Sequence, residues 1–123
     1  MSVETELFTL LNNHAGLTAL VVSRIYPLTA EEDATLPLVV YRATGDTIER
    51  AMAADAAVRS MYRFDCWASS YSSAKAVAAQ VKDCLDRYKG GVILRILFEG
   101  ELPIRDETTE DWRVSVAMEV IWA

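Results

Sequence analysis

Two runs of carboxylates carry the most concentrated chemistry in this sequence. Glu31, Glu32 and Asp33 are consecutive, and the segment 106–111 holds four more acidic residues. Carboxylate oxygens bind hard cations such as Mg²⁺ and Ca²⁺, so a cation site is one interpretation. Neither spacing matches a known cation-binding loop, which favours solvated loops. A third interpretation is that these loops dock on a partner and set its orientation.

A second group of polar residues alternates along predicted strands. Arg63, Asp65 and Trp67 share one face of a strand, and Arg42 in the preceding strand can lie opposite one of them. On a solvated surface such ion pairs contribute less than about 1 kcal/mol each. Arginine beside tryptophan is typical of interfaces, so we predict that this face meets a neighbouring subunit. The full set of candidate interface residues is Glu31, Glu32, Asp33, Arg42, Arg50, Arg63, Asp65 and Trp67.

The residues that usually perform catalysis do not form a recognisable site. His14 is the only histidine, and it follows two asparagines at a predicted helix end. Cys66 and Cys84 lie on apolar faces, which is typical of small core residues. The sequence has no glycine-rich phosphate loop, CxxC pair, HExxH helix or GxSxG turn. We therefore predict a protein that is not an enzyme and that binds no cofactor or metal.

Composition restricts the class of protein further. The 123 residues suffice for one domain, residues 1–123, and 52% of them are hydrophobic. The net charge of −6 argues against a basic surface that grips nucleic acid. No apolar run approaches the roughly 20 residues needed to span a bilayer, so no membrane partner is expected. The acidic start does not resemble a signal peptide, which predicts reduced thiols in a cytosolic protein.

Charge is unevenly distributed along the chain. Residues 1–36 carry five acids and one base, residues 37–91 six acids and eight bases, and residues 92–123 seven acids and three bases. The three segments therefore carry about −4, +2 and −4. Acidic ends and a mildly basic middle would allow identical subunits to match head to tail around a ring.

Hydrophobic periodicity predicts the elements that position these residues. Leucines at helical spacing from Leu7 indicate a first helix, and residues 17–22 a short second one. Strands are predicted over 38–48 and 61–68, with 49–57 as a hairpin tip or short helix and 29–36 as an acidic loop. A helix is predicted over 71–88, ended by Gly90 and Gly91.

Two further strands are predicted after that helix. The first covers 92–100, with Val92, Leu94, Ile96 and Phe98 on one face, and a polar turn follows over 103–111. The last strand has its large apolar residues on one face, from Trp112 to Trp122. We therefore predict an α+β fold: a four-stranded, mainly antiparallel sheet with helices packed on one face.

The sequence resembles the small phage tail-completion and tail-terminator proteins. The resemblance rests on Gly16-Leu-Thr-Ala-Leu leading into Arg24-Ile-Tyr-Pro, then Leu36-Pro-Leu-Val-Val-Tyr and Tyr62-Arg-Phe-Asp-Cys-Trp-Ala-Ser. The helix from Ser72 with its Ala-Lys-Ala-Val spacing and the final alternating strand complete it. It covers nearly the whole chain in the same element order, through apolar positions and short phrases rather than catalytic signatures.

The resemblance implies a structural virion-assembly protein. Such a subunit forms a ring, typically a hexamer, that caps the tail tube and offers a joining surface to the head. Its expected partners are itself, the tail tube protein and a head-side connector protein. Genomic DNA would pass through the lumen without specific binding, which an acidic subunit would favour by repelling phosphates. The implied location is the head-proximal end of the virion tail, after assembly in the host cytoplasm.

Two alternatives remain open from the sequence. Within the same class, the chain can be a head–tail connector or stopper subunit. In a different class, it can be a small-ligand or cation-binding regulatory domain that uses the acidic clusters. The second alternative predicts a monomer or dimer with a concave apolar pocket, whose melting temperature rises when a cation binds.

Overall fold

The computed structural model describes residues 2–30, 34–50 and 56–123, with backbone only for residues 47–50 and 56. Helices α1 (Val3–Asn13) and α2 (Ala15–Val21) come first, followed by strand β1 (Ile25–Pro27). Strands β2 (Leu38–Arg50) and β3 (Ala56–Ala68) form an antiparallel pair. Helix α3 (Tyr71–Leu85) leads to strands β4 (Ile93–Arg105) and β5 (Trp112–Trp122).

The fold is α+β, but its sheet has five strands rather than the predicted four. The strand order is β1-β2-β3-β5-β4. The additional strand, β1, pairs in parallel with Val39–Tyr41 of β2, and the Leu28 amide continues this ladder by donating to the Tyr41 carbonyl. Three residues are too few to show an alternating pattern. Sequence periodicity therefore cannot predict β1, which is defined by its hydrogen bonds to β2. The remaining pairs are antiparallel, as predicted.

All three helices pack against one face of the sheet. Apolar residues of α1, α2 and α3 meet the inward residues of β3 and β5 in one core, including the predicted set from Tyr62 to Ala68. Val114, Val116, Met118 and Val120 of β5 are buried in it, as predicted. Ser2 and Ser70 cap α1 and α3 by accepting from backbone amides.

Helix α3 ends at Leu85, three residues before the predicted end. Asp86 has an extended backbone, and Arg87 takes a positive φ of 67°. The Arg87 amide donates to the Ile96 carbonyl and the Ile96 amide to the Tyr88 carbonyl, so this segment pairs with β4. Gly91, with φ of 56°, instead serves the turn into β4, where a Cβ would collide with Glu6. The competing strand contacts therefore override the helical periodicity.

Strand β4 departs from the predicted alternation. Its pairing with β5 shifts register between Ile93 and Arg95 and again between Phe98 and Gly100. Each bulge moves later side chains to the other face. As a result Ile93 and Ile96 are buried together, whereas Leu94 is exposed. The strand also continues to Arg105, which restricts the predicted polar turn to 106–111.

The hairpin between β2 and β3 is longer than predicted. Cα pairs continue to Arg50 and Ala56, so residues 49–50 and 56–57 of the predicted tip at 49–57 are strand. Residues 51–55 lie outside the described residues. Of the predicted acidic loop at 29–36, residues 29–30 and 34–36 have no helix or strand, and Glu31, Glu32 and Asp33 lie outside the described residues. The peptide bond between Leu36 and Pro37 is cis.

Candidate interaction surface on the helix-free face of the sheet

The face of the sheet that no described helix covers mixes arginines, carboxylates and apolar side chains. Alternation along β3 places Arg63, Asp65 and Trp67 on it, because Tyr62, Phe64 and Cys66 point into the core. Register then adds Arg42 from β2, directly opposite Arg63, and Arg113 from β5, directly opposite Trp67. We call this surface the helix-free face.

Asp65 is the centre of one half of the helix-free face. Its side chain is 4% exposed, and its Oδ2 accepts from Arg42 Nη1 at 3.0 Å. Arg113 Nη1 lies 3.9 Å from the same oxygen. Asp65 Oδ1 and Arg113 Nε are buried and find no hydrogen-bond partner among the described residues. Two guanidinium groups thus converge on one carboxylate without saturating it.

A groove opens beside this cluster. Its volume is about 360 Å³, and residues 28–30, Ala34 and Leu36 lie on one side of it and the turn at 106–111 on the other. Leu38, Val40 and Trp67 supply apolar wall, and the Arg113 guanidinium lies 5.2 Å from the Trp67 ring centre. Such a cation–π contact fixes both side chains in place. The groove can therefore receive an amphipathic segment of a partner.

The other half of the helix-free face carries a second set of charges. Arg59 Nε forms an ion pair with Glu119 Oε1 at 3.2 Å, and Arg63 Nη1 donates to Ser115 Oγ at 3.3 Å. Arg59 and Arg95 both face Ile121 across the sheet, so exposed Arg95 belongs to this half. Taken together, the two halves of the helix-free face carry five described arginines. We call the surface formed by these five the arginine face: Arg42, Arg59, Arg63, Arg95 and Arg113.

The β4–β5 turn is acidic and internally hydrogen-bonded. Asp106 Oδ1 accepts from the amides of Thr108 and Thr109 at 2.9 and 3.3 Å. The Asp106 amide donates to the Asp111 carbonyl, and the Glu110 amide donates to the Asp106 carbonyl. Glu107 and Glu110 remain exposed at the tip. The turn therefore holds its charges in a defined geometry with no bound ion needed to shape it.

The structure brings four of the eight candidate interface residues together: Arg42, Arg63, Asp65 and Trp67. Arg50 lies at the far end of β2, eight residues from Arg42, and its side chain is outside what the structure describes. The three acids at 31–33 are likewise outside it. Sequence reasoning left out Arg59, Arg95 and Glu119. For Arg59 the signal was available, because it continues the alternation of Arg63 and Asp65 along β3.

The histidine and the two cysteines occupy structural positions. His14 Nε2 lies 3.2 Å from Gln80 Oε1 and 3.4 Å from Asp83 Oδ2, which links the start of α2 to α3. Burial, with a contribution from Asp83, raises the pKa of the Cys84 thiol to about 11, and burial also raises the pKa of Cys66. A raised pKa keeps both sulfurs protonated and makes them poor nucleophiles.

Two further features of the described residues bear on function. Within residues 2–30, 34–50 and 56–123, no cluster of three or more His, Cys, Asp or Glu side chains is arranged to hold a metal ion. None of the helices in those ranges has the length and hydropathy to cross a membrane. The helix-free face is thus the feature that a functional assignment has to explain.

Comparison with known protein families decides the class. The family described as tail completion protein gp17 matches residues 5–121, nearly the whole chain. The chain belongs to this tail completion family. It is therefore a structural phage tail protein, as the resemblance implied.

The fold of this tail completion protein recurs in a solved particle. A chain of the structure titled "Virion of native gene transfer agent (GTA) particle" matches with a TM-score of 0.80 and 18% sequence identity. The match covers 98% of the tail completion protein and 94% of the other chain. At this identity the likeness establishes a shared fold. No curated protein sequence matches.

Proposed function

We propose that this tail completion protein is a ring-forming tail terminator. Identical subunits, six by the resemblance, close a ring that caps the tail tube and presents a joining surface to the head-side connector protein. The observation that carries the proposal is the family match over residues 5–121. The finished ring belongs at the head-proximal end of the virion tail, and its subunits assemble there from the host cytoplasm.

The helix-free face supports the assembly part of the proposal. One face of the sheet is covered by helices, whereas the other exposes arginines beside Trp67 and a groove of about 360 Å³. Interfaces are enriched in arginine and aromatic residues relative to other protein surfaces. Ring subunits need two different contact surfaces, one for each neighbour, and a single uncovered sheet face can supply one of them.

The net charge supports passage of DNA through the lumen. With 18 acidic against 12 basic residues, the subunit repels phosphate groups on average. A lumen that bound DNA would slow its transit, and salt-dependent binding to phosphates requires clustered positive charge. We therefore assign the arginine face to protein contacts and leave the lumen to other surfaces.

The head–tail connector or stopper role is the alternative within the same class, and the two roles differ in what the ring binds. A terminator binds the end of a tail tube and limits its length. A connector subunit binds the head-side ring and leaves tube length unchanged. For a cation-binding domain, the described residues provide no cluster of ligands, and Glu31, Glu32 and Asp33 lie outside them.

The test begins with the mass of the purified chain over a range of concentrations, measured by light scattering after size-exclusion chromatography. We expect a mass near six subunits at high concentration. The same preparation is then added to growing tail tubes, whose lengths are measured by electron microscopy. Tubes capped and shortened by the protein support a terminator. Unaffected tubes together with binding to the head-side ring would replace it with the connector.

A further inference from the structure

The arginine face differs in charge from the rest of the protein. Five arginines against two carboxylates, Asp65 and Glu119, give this surface +3 among its described side chains. The whole chain carries −6, so the remainder carries −9. All three lysines lie elsewhere, on α3 and just after it. Arginine without lysine indicates a surface selected for directional contacts with carboxylates rather than for solubility.

The arrangement of Arg42, Arg63 and Arg95 leaves positive charge uncompensated among the described side chains. Arg42 and Arg63 lie directly opposite each other on β2 and β3, and like charges at such positions repel. Asp65 neutralises one guanidinium of the three around it. Arg95 is exposed at the other end of the face. Asp65 screens Arg42 from Arg63 only in part, and no described carboxylate forms an ion pair with Arg63 or Arg95, so an acidic partner would add the missing negative charge.

The acidic turn at 106–111 has the complementary properties. Its four carboxylates, Asp106, Glu107, Glu110 and Asp111, have no basic residue among them. No ion pair within the described residues joins any of them to an arginine or lysine. The hydrogen bonds that Asp106 Oδ1 accepts from the Thr108 and Thr109 amides constrain the turn. Binding of the turn to a partner therefore costs little conformational entropy.

The turn cannot reach the far half of its own arginine face. It ends where β5 begins at Trp112, whereas Arg59 and Arg95 face Ile121, near the other end of β5. At about 3.3 Å per residue, the two positions are roughly 30 Å apart. Two complementary patches at opposite ends of one subunit produce head-to-tail contacts, which generate rings when the rotation closes.

We propose that the acidic turn of one copy docks on Arg59, Arg63 and Arg95 of the next copy. Glu107 and Glu110 reach the guanidinium groups, and Arg59 exchanges part of its bond to Glu119 for the incoming carboxylates. This inference rests on the proposed self-assembly and names the two surfaces that meet. The occupant of the far half of the arginine face is thus a second copy of this chain.

The experiment uses two full-length variants with opposite charge reversals. Variant one carries Glu107→Lys and Glu110→Lys, and variant two carries Arg63→Glu and Arg95→Glu. Each variant alone places like charges at its two reversed positions in the contact, so we expect self-association to weaken at least about tenfold at low salt. Mixed in equal amounts, the two variants restore opposite charges at the reversed positions and should form alternating oligomers. Light scattering measures both effects.

Controls separate charge at this contact from folding and from net charge. Glu4→Lys with Asp83→Lys makes the same change in net charge as variant one, but on the helix side, and should leave association unchanged. Thermal unfolding verifies that each variant is folded, and Arg95→Glu alone provides a version altered only at an exposed site.

Three outcomes overturn the inference: variants that associate like the wild type, a mixture that stays apart, or a wild-type chain that remains monomeric at every concentration. None of these decides the proposed terminator function, which the tail-tube experiment tests independently. A charge-insensitive oligomer that still caps tubes would reject this interface and leave the function in place.

Discussion

Asp65 is the residue on which the charged cluster depends. A buried carboxylate is costly unless it is paired and hydrogen-bonded, and only one of its oxygens finds donors among the described residues. Arg42 compensates from β2, and Arg113 stands 3.9 Å away on β5. The carboxylate therefore holds three strands together through charge. It also screens Arg42 from Arg63, its cross-strand neighbour.

We expect Asp65→Ala to destabilise the fold by about 2 kcal/mol, because it leaves guanidinium groups facing each other without a carboxylate. The cost stays below that of a fully buried pair because the Arg42 side chain is 43% exposed and can turn to water. Urea unfolding measures it. When Arg42→Ala is combined with Asp65→Ala, the loss of unfolding free energy should be about 1 kcal/mol smaller than the sum of the two single losses. Strictly additive losses would show that the pair is not coupled.

The thiols provide a second prediction. With burial raising the pKa of Cys84 to about 11, roughly one thiol in a thousand is ionised at pH 8. Iodoacetamide should therefore modify Cys84 in the native protein roughly a hundredfold more slowly than in urea, as followed by mass spectrometry. A Cys66→Ala variant isolates the Cys84 signal. Rapid labelling of the native protein would place this sulfur in a more reactive environment.

Between elements, Glu101 connects helix α3 to strand β4. Its carboxylate accepts from Lys75 Nζ at 2.6 Å and also from Lys82 Nζ, two helical turns away along the same side of α3. Lys82 also lies 5.2 Å from the centre of the Phe98 ring. These contacts anchor the edge strand to the helix. The two hydrogen bonds, that of Lys75 first, lower the pKa of Glu101.

This lowered pKa predicts a pH dependence of stability. The stabilising contribution of Glu101 is complete above the unfolded-state pKa of about 4.3 and disappears as pH falls through the lower folded-state pKa. Glu101→Gln should cost less than about 1 kcal/mol at pH 7, because both lysines are partly exposed to solvent. The difference from wild type should shrink below pH 4, measured by urea unfolding. Exposed Glu99→Gln is the matched control, and a difference independent of pH would contradict the assignment.

For the whole molecule, the uneven charge predicts that assembly is electrostatic. The acids at 31–33 lie in an N-terminal segment of −4, and the middle segment carries +2. Reversing Glu31, Glu32 and Asp33 to lysine should weaken ring formation, and the neutral Gln-Gln-Asn version should fall between it and wild type. Raising the salt concentration from about 0.05 to 0.5 M should also weaken ring formation, because salt screens the charges. Unchanged ring mass and tail length in the lysine variant would contradict this hypothesis.

Local patterns in the sequence were sufficient for α1, α3 and β5, because each carries its own periodicity and, in the helices, its own capping serine. They also placed Arg63, Asp65 and Trp67 on one face, since alternation along a strand is a property of that strand alone. A family resemblance spread over nearly the whole chain indicated the class, which the match over residues 5–121 established.

Tertiary structure decided everything that depends on pairing between distant segments. Strand β1 is defined only by its pairing with β2. Helix α3 ends where residues 87 and 88 form hydrogen bonds with β4. Two bulges determine which side chains of β4 lie on each face of the sheet. The meeting of Arg42 and Arg113 on Asp65 joins positions 23 and 48 residues apart in the chain. Register and sheet order depend on non-local backbone hydrogen bonds, and no local periodicity encodes them.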